Sequence, residues 1–294
     1  MEYYLGIDVG GTSIKYGVIN QDGQIKDPGK VTTPESLEAM YQIIDQIYQA
    51  CQYPVAGVAL SMPGAVNSET GIIEGASALP YIHGPNIKEE LQTRLKTKVT
   101  IENDANCAAL AEVWQGAASD VDDCAFIVSG TGIGGAIVKD RMIHRGKHLH
   151  GGEFGYMVAL PDLEHDEYIS WSIAGSTLAV VKGVAKELGV DYHSLDGKDV
   201  FDQASHNAIY QKYVDRYYML LAIGIYNLQY AYDPEKIVIG GAISARDDLV
   251  EQIEKRLEKI YTQIEIATIH PSVVKCRFGN EANLIGAVYH FIHS

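Results

Sequence analysis

Basic residues are scarce in this 294-residue chain: 23 lysines and arginines stand against 38 acidic residues, a formal net charge of −15. Phosphate backbones need a basic face, so a nucleic-acid partner is set aside, and the acidic excess mainly favours solubility. Cysteine is sparse as well. Cys51, Cys107, Cys124 and Cys276 are widely scattered with no C-x-x-C pair, which reads as reduced, cytoplasmic and free of a cysteine zinc site. No apolar run approaches the ~20 residues that span a bilayer. The chain enters a strand at once, without a basic or signal-like stretch, so no export or membrane partner is expected. Low-complexity segments are also missing. The length is near the upper limit of one core and natural for two domains.

What is present is glycine in telling places. Asp8-Val9-Gly10-Gly11-Thr12, with Lys15 three residues on, sits between two apolar strand-like runs, Tyr3 to Ile7 and Ile14 to Ile19. Adjacent glycines let the backbone approach an anion and take φ values that other residues resist. Successive N–H groups, a threonine hydroxyl and a lysine then offer donors to phosphate oxygens. Asp8 would repel such a ligand unless a cation stood between them, which argues for Mg²⁺. A tight hairpin turn alone would also account for the segment. A second copy of the pattern follows: the apolar run Cys124 to Ser129, the loop Gly130-Thr131-Gly132-Ile133-Gly134-Gly135, and a strand from Ala136 to Lys139. A dinucleotide fingerprint would open a helix here, whereas Ile133, Ile137 and Val138 favour a strand. Two such hairpins suggest two related domains facing each other across a nucleotide.

The remaining pattern is α/β. Helices are expected over Glu35–Gln49, Asn86–Lys96, Asp104–Trp114, Thr177–Leu188, Ala208–Ala231, Asp247–Ile260 and Glu281–Ile292, and strands over Val55–Ser61, Val99–Glu102 and Lys236–Ile239. Met142 to Ser172 reads as loop-rich, and Leu163 to Tyr168 as a solvated acidic loop. Composition breaks at Gly116-Ala117-Ala118-Ser119-Asp120, the best single boundary. The tyrosines of the longest helix, Tyr210, Tyr213, Tyr217, Tyr218, Tyr226 and Tyr230, read as core, with a dimer face as the minority view.

Three constellations carry chemistry. Glu102-Asn103-Asp104 lies between a short strand and a helix. Asp104 there would cap exposed N–H groups, worth ~1 kcal/mol, and that alone would explain it. Asn103 adds an amide that donates and accepts, and the pair can read two vicinal sugar hydroxyls with the carboxylate accepting a proton. The helix N-terminus favours the ionised form of Asp104. Second, Glu153 is flanked by glycines in Gly151-Gly152-Glu153-Phe154-Gly155, and Ser61-Met62-Pro63-Gly64 closes a strand, where open α/β sheets place ligands. Third, Gly240-Gly241 follows a strand; paired glycines let an adenine lie against backbone or form a plain turn.

Together D-V-G-G-T-x-x-K, S-M-P-G, E-N-D-A-N, G-T-G-I-G-G, G-G-E-F-G and I-G-G-A-I, in order from Leu5 to Phe291, resemble the ROK family of sugar kinases. The resemblance implies an α/β, two-domain actin-like ATPase (ribonuclease H-like) fold with nucleotide and sugar in the interdomain cleft. It suggests a small domain of residues 1–117 plus 281–294 and a larger one of 118–280. Asp104 is then the base that takes the proton of the sugar 6-hydroxyl. Ser61, Pro63, Gly64, Asn103, Asp104 and Glu153 bind sugar. Asp8, Gly10, Gly11, Thr12 and Lys15 match the first phosphate segment, Gly130, Thr131, Gly132 and Gly134 the second, and Gly240 and Gly241 the adenosine segment. ATP and Mg²⁺ are implied, with Asp8 reaching the metal through water, and so is a homodimer.

The departures are informative. Many family members continue the glutamate loop as E-x-G-H and follow it with a C-x-C-G-x-x-G-C-x-E zinc module. Here Tyr156 stands at the histidine position and Met157 to Ser176 holds no cysteine, so no structural zinc is expected. His144, His148 and His150 have ligand-compatible spacing but no acidic or thiolate partner in view. The module's second sugar-binding glutamate is gone too, which leaves room at C1 of the sugar; Ser170 and Ser172 are the nearest positions to it. Ile101 to Trp114, Gly152 to Met157, Gly224 to Ser244 and Leu284 to Phe291 look most like β-glucoside kinases, which implies transfer to O6 of cellobiose or an aryl β-glucoside. The alternatives are an N-acetylmannosamine kinase or glucokinase of the same fold, or a non-catalytic sugar sensor. A repressor would need a helix-turn-helix ahead of Leu5 and a basic face.

Overall fold

The computed structural model describes residues 2–162 and 165–294. In chain order the first part holds β1 (Tyr3–Val9), β2 (Ser13–Asn20), β3 (Ile25–Thr32), α1 (Leu37–Ala50), β4 (Val55–Met62), β5 (Ala65–Asn67), β6 (Ile72–Glu74), α2 (Ile87–Leu95), β7 (Lys98–Asn103) and α3 (Asp104–Gln115). Then come β8 (Cys124–Ser129), β9 (Ile133–Lys139), β10 (Met142–Ile143), β11 (Val158–Asp162), β12 (Glu167–Ser170), α4 (Trp171–Gly175), α5 (Thr177–Leu188), α6 (Gly197–Asp202) and α7 (Ala208–Tyr232). The chain closes with β13 (Lys236–Gly240), α8 (Leu249–Gln263), β14 (Val273–Lys275) and α9 (Ala282–His293).

Contacts divide the chain into two compact units: residues 1–120, 141–151 and 277–294, and residues 121–140 and 152–276. The expected division, 1–117 with 281–294 against 118–280, differs from this by a few residues at 118–120 and 277–280 and chiefly at Arg141–Gly151, all of which fall in the first unit. The reason is polar and local: Arg145 pairs with the buried Glu102, and an Arg141 Nη donates to the Val113 carbonyl at 2.6 Å.

In the first unit the strand order is β3-β2-β1-β4-β7, with β2 antiparallel to β1 and β3, and with β1, β4 and β7 parallel. β1 and β4 are almost wholly apolar and buried, as strands covered on both faces must be. α1 begins at Ser36, whose side chain accepts from the Ala39 N–H, and buries Met40, Tyr41, Ile44 and Ile47, a helical stripe. α9 packs on α3 at very short range. A Cβ on Gly286 would lie 1.6 Å from the Cys107 carbonyl oxygen, so glycine alone lets the closing helix seat there.

In the second unit β9-β8-β13-β14 lie side by side, β8 antiparallel to β9 and parallel to β13, which is parallel to β14. The same sequence of one antiparallel and two parallel pairings thus occurs in both units. The core gathers on α7, where Tyr217 and Tyr218 are fully buried, whereas Tyr210, Tyr213 and Tyr226 are partly buried and Tyr230 is exposed. The stretch read as loop-rich also contains the β11–β12 hairpin and α4. Leu163 and Glu164 of the expected acidic loop lie outside the described residues. Among the described residues no helix is long and apolar enough to cross a membrane, and the four cysteines are free thiols.

Candidate active site

Strand register builds the first half of the site. Asp8 at the end of β1 pairs with Ser61 on β4, which pairs with Glu102 on β7. Three polar residues thus line up near the carboxyl ends of three parallel strands, where such sheets place ligands. All three are buried. The Ser61 hydroxyl donates to Asp8 Oδ1 at 2.9 Å, and Asn283 Nδ2 donates to the same oxygen at 3.0 Å. Lys15, facing Asp8 across the β1–β2 hairpin, sits 3.7 Å from Oδ2. Ser61, expected to bind sugar, donates its hydroxyl proton to Asp8 and so orients that carboxylate. Gly10, Gly11 and Thr12 form the hairpin tip, with the Gly10 N–H donating to the Ser13 carbonyl at 3.0 Å. Neither glycine has a positive φ; a Cβ on Gly10 would lie 3.2 Å from the Ser13 carbonyl oxygen and one on Gly11 3.0 Å from Ala78 Cβ, so both positions are closely packed. Gly11 and Thr12 are exposed.

The corner from β7 into α3 carries the central group. Asn103, not Asp104, is the cap: its Oδ1 accepts from the Asn106 N–H at 3.1 Å. Its Nδ2 donates to the Gly64 carbonyl at 2.9 Å, tying in the Ser61–Gly64 turn. Asp104 is the first helical residue, half-buried, with Oδ1 accepting from the Ala105 N–H at 2.8 Å. Behind them the fully buried Glu102 accepts from the Asn103 N–H at 2.8 Å and from Asn106 Nδ2 at 2.9 Å, while Arg145 neutralises it. Gly64 has φ +100°; Pro63 precedes it, half-buried. Arg145 and Asn283 carry no local sequence signal that would have marked them.

The second unit holds the other glycine loop. The Gly130 carbonyl accepts from the Thr177 hydroxyl at 2.7 Å and the Leu178 N–H at 3.3 Å, fixing the loop to the start of α5. Ser172 Oγ accepts from the Ile133 N–H at 2.8 Å and donates to the Ile133 carbonyl at 3.0 Å. No atom lies within 4 Å of a Cβ built on Gly130 or Gly134. The fold itself does not demand glycine at either position, so the small residue leaves backbone open to a ligand. Gly132 is tighter, its Cβ meeting Ser172. A cavity of about 800 Å³ opens beside Gly130 and Thr131, with Leu178, Val181, Phe201 and Ile243 among its apolar walls. Lys198, Asp202 and Arg246 also line it. Hydrogen bonds first from Lys198 and then from Arg246 hold the Asp202 carboxyl below its usual range. Gly240 and Gly241 end β13 just before the cavity-lining Ala242. Gly241 has φ +89° and would place a Cβ 2.3 Å from the Ser129 carbonyl oxygen, so the turn by itself requires that glycine.

Glu153 is exposed. Its flanking glycines serve packing: a Cβ on Gly152 would lie 2.6 Å from Ala136 Cα, and one on Gly155 2.1 Å from the Ile133 carbonyl oxygen. His144, His148 and His150 are exposed, and His150 Nδ1 lies 2.6 Å from the His148 carbonyl. Among the described residues no group of three His, Cys, Asp or Glu side chains is placed to hold a metal ion.

Residues 4–293 match the family model described as ROK family. The chain belongs to the ROK family. The β-glucoside kinase of Listeria monocytogenes serovar 1/2a is 32% identical over 292 residues, which cover 97% of this chain and 96% of that protein. The crystal structure of a ROK family protein from Streptococcus pneumoniae TIGR4 in complex with sucrose superposes with a TM-score of 0.91 at 38% identity, covering 99% and 98% of the two chains. A ROK family glucokinase from Streptomyces griseus, in complex with glucose and AMPPNP, gives a TM-score of 0.76 at 26% identity and covers 97% of both. The α/β, actin-like ATPase fold read from the sequence is the fold these ROK structures share with this chain.

Proposed function

We propose that this ROK protein is an ATP-dependent carbohydrate kinase that phosphorylates the 6-hydroxyl of a hexose or, more specifically, of a β-glucoside such as cellobiose or an aryl β-glucoside. One observation carries the reading: Asp104 heads α3 while its neighbour Asn103 does the capping. The cap is thus made by Asn103, and Asp104 stands at the strand-to-helix corner with one carboxylate oxygen accepting from the Ala105 N–H. The nucleotide reading has its own support in Gly130, open to approach and lining a cavity large enough for a nucleoside.

In this mechanism Asp104 accepts the 6-hydroxyl proton as that oxygen attacks the γ-phosphorus of ATP, and ADP leaves. A weak base suffices, because positioning and charge stabilisation dominate phosphoryl transfer. Asn103, with the Pro63-Gly64 turn it fastens, and Glu153 contact the sugar. The Gly130–Gly134 loop meets the phosphates, and the adenosine lies along the apolar cavity walls beyond Gly241. Asp8 fits an ion held through water: a single buried carboxylate, already oriented by Ser61 and Asn283, suits Mg²⁺, which keeps several waters and takes few protein ligands. Bound there, Mg²⁺ would neutralise phosphate charge. Likeness to the β-glucoside kinase of Listeria monocytogenes and loss of the glutamate-bearing zinc module favour a substituent at C1. Four free thiols and the use of ATP fit a cytoplasmic enzyme. A homodimer belongs to the same reading, and light scattering should return twice 32.1 kDa.

The deciding experiment is an ADP-release screen with ATP against glucose, cellobiose, gentiobiose, salicin, arbutin and N-acetylmannosamine. A β-glucoside with kcat/KM at least equal to that of glucose is expected. Preference for free glucose or N-acetylmannosamine over every β-glucoside would move the assignment to those kinases, and no turnover with any sugar would favour a sensor. Ser170→Glu is the trial of the vacated C1 position, since Ser172 is committed to Ile133; it should hurt β-glucosides more than glucose.

A further inference from the structure

A second cavity, of about 410 Å³, opens in the first unit, and none of Asp8, Ser61, Asn103 or Asp104 lines it. Its composition runs against that of the chain. In a protein of net charge −15, the lining includes Lys88, Lys98, Arg141, Arg145, His290 and His293. Glu69 is the one acidic side chain among the described residues that line it. Lys88 Nζ donates to the carbonyls of Ser68 at 3.0 Å and Glu69 at 3.3 Å. Lys98 Nζ donates to the Phe291 carbonyl at 3.4 Å and to a carboxylate oxygen of Ser294, the last residue of the sequence, at 3.2 Å. Neutral backbone carbonyls thus position the Lys88 ammonium without cancelling its charge.

Two buried donors remain unused. Thr100 is 4% exposed and its hydroxyl has no hydrogen-bond partner, and Arg145 Nε is buried without one. A buried donor left unmade is costly, and here both unused donors belong to residues of one cationic wall. Burial lowers the His290 pKa first, Glu102 opposes it, and the charges of Arg145, Lys88 and Lys98 add to the lowering, so three cationic side chains act on this imidazole. A neutral sugar would leave the cationic side chains of this lining unanswered, whereas a tetrahedral dianion offers oxygens to several donors at once.

We propose that this cavity binds a phosphate group, as free phosphate or as a phosphate monoester, and that Arg145 relays its occupancy to Glu102. Arg145 is suited to the relay because its Nη2 holds the Glu102 carboxylate that also takes the Asn103 N–H.

The test is calorimetric titration of the full chain, without ATP and at constant ionic strength, with inorganic phosphate, glucose 6-phosphate and, as neutral control, glucose. Either phosphate probe should bind one per chain, and Lys98→Gln should weaken that binding by about tenfold, the scale of one charge-assisted hydrogen bond. Thr100→Val, nearly isosteric, should weaken it too and decides the matter if Lys98→Gln does not fold. Tighter binding of glucose 6-phosphate identifies a monoester site; equal or tighter binding of inorganic phosphate identifies the free ion. No binding to the wild-type chain, or binding unchanged in a folded variant, would place the anion elsewhere and overturn the site. These titrations stand apart from the kinase reading. The relay is tested separately: saturating phosphate should change kcat by about twofold or more in the wild type and not in Thr100→Val. An unchanged rate in a phosphate-bound enzyme overturns the relay.

Discussion

A cap and a base are different demands on a carboxylate, and this chain gives them to neighbouring residues. Asn103 satisfies the first turn of α3, leaving Asp104 as its first residue. Asp104→Asn should therefore fold normally and still bind sugar within about tenfold, while kcat falls by ~10²–10⁴, the range of general-base contributions. Near-wild-type turnover in that variant would reduce Asp104 to a helical residue. His290 makes a prediction about pH. Its pKa is lowered first by burial, with Glu102 pulling the other way. The unfolded chain therefore binds a proton that the folded chain refuses. Stability from this group is present above the ordinary histidine pKa of about 6.5 and is lost as pH falls towards the lower folded value. Urea melts at pH 7.5 and 5.5 should show a loss of stability on acidification, and His290→Gln should make it smaller. An unaltered pH slope in the variant would show that other groups carry it.

At the scale of elements, glycines divide into those the fold needs and those it does not, and sequence alone could not sort them. The strand–glycine–strand pattern at Gly10 and at Gly130 was legible, as was every long helix, because apolar spacing and turn residues act locally. Three facts were beyond it. Nothing in Gly152 or Gly155 announces that they press against β9 rather than frame Glu153 for a ligand. Ser61 looks like an exposed strand end until register places it against Asp8. Arg145 reaches Glu102 from 43 residues away. Each depends on long-range packing, which periodicity does not encode. The division predicts opposite outcomes for one substitution at two sites. Gly130→Ala meets no atom within 4 Å, so its Tm should stay unchanged while KM for ATP rises by about tenfold, roughly one lost contact. Gly286→Ala, whose Cβ would sit 1.6 Å from a backbone oxygen, should cost at least the ~1–3 kcal/mol of an overpacked core, read as a fall in Tm. Equal Tm changes in the two variants would mean that the loop glycine is structural after all.

On the scale of the whole molecule, the same sheet order occurs twice, and each unit carries its own buried core and its own polar loops. Met157 to Ser176, which holds no cysteine, contains the β11–β12 hairpin leading into α4, whose Trp171 is 2% exposed. Burial of a large apolar side chain stabilises by about 1.5–3 kcal/mol, so Trp171 gives this stretch an anchor that needs no thiolate ligation. The three exposed histidines near Gly151 give no rigid alternative, since zinc sites are held by ligands fixed in tetrahedral geometry. Elemental analysis of untagged, purified protein should accordingly find no stoichiometric zinc, and a chelator that spares Mg²⁺ should leave both Tm and ADP release unchanged. One zinc per chain, lost together with activity when His144 and His148 are changed to alanine, would make those histidines ligands and replace the packing account of the missing module.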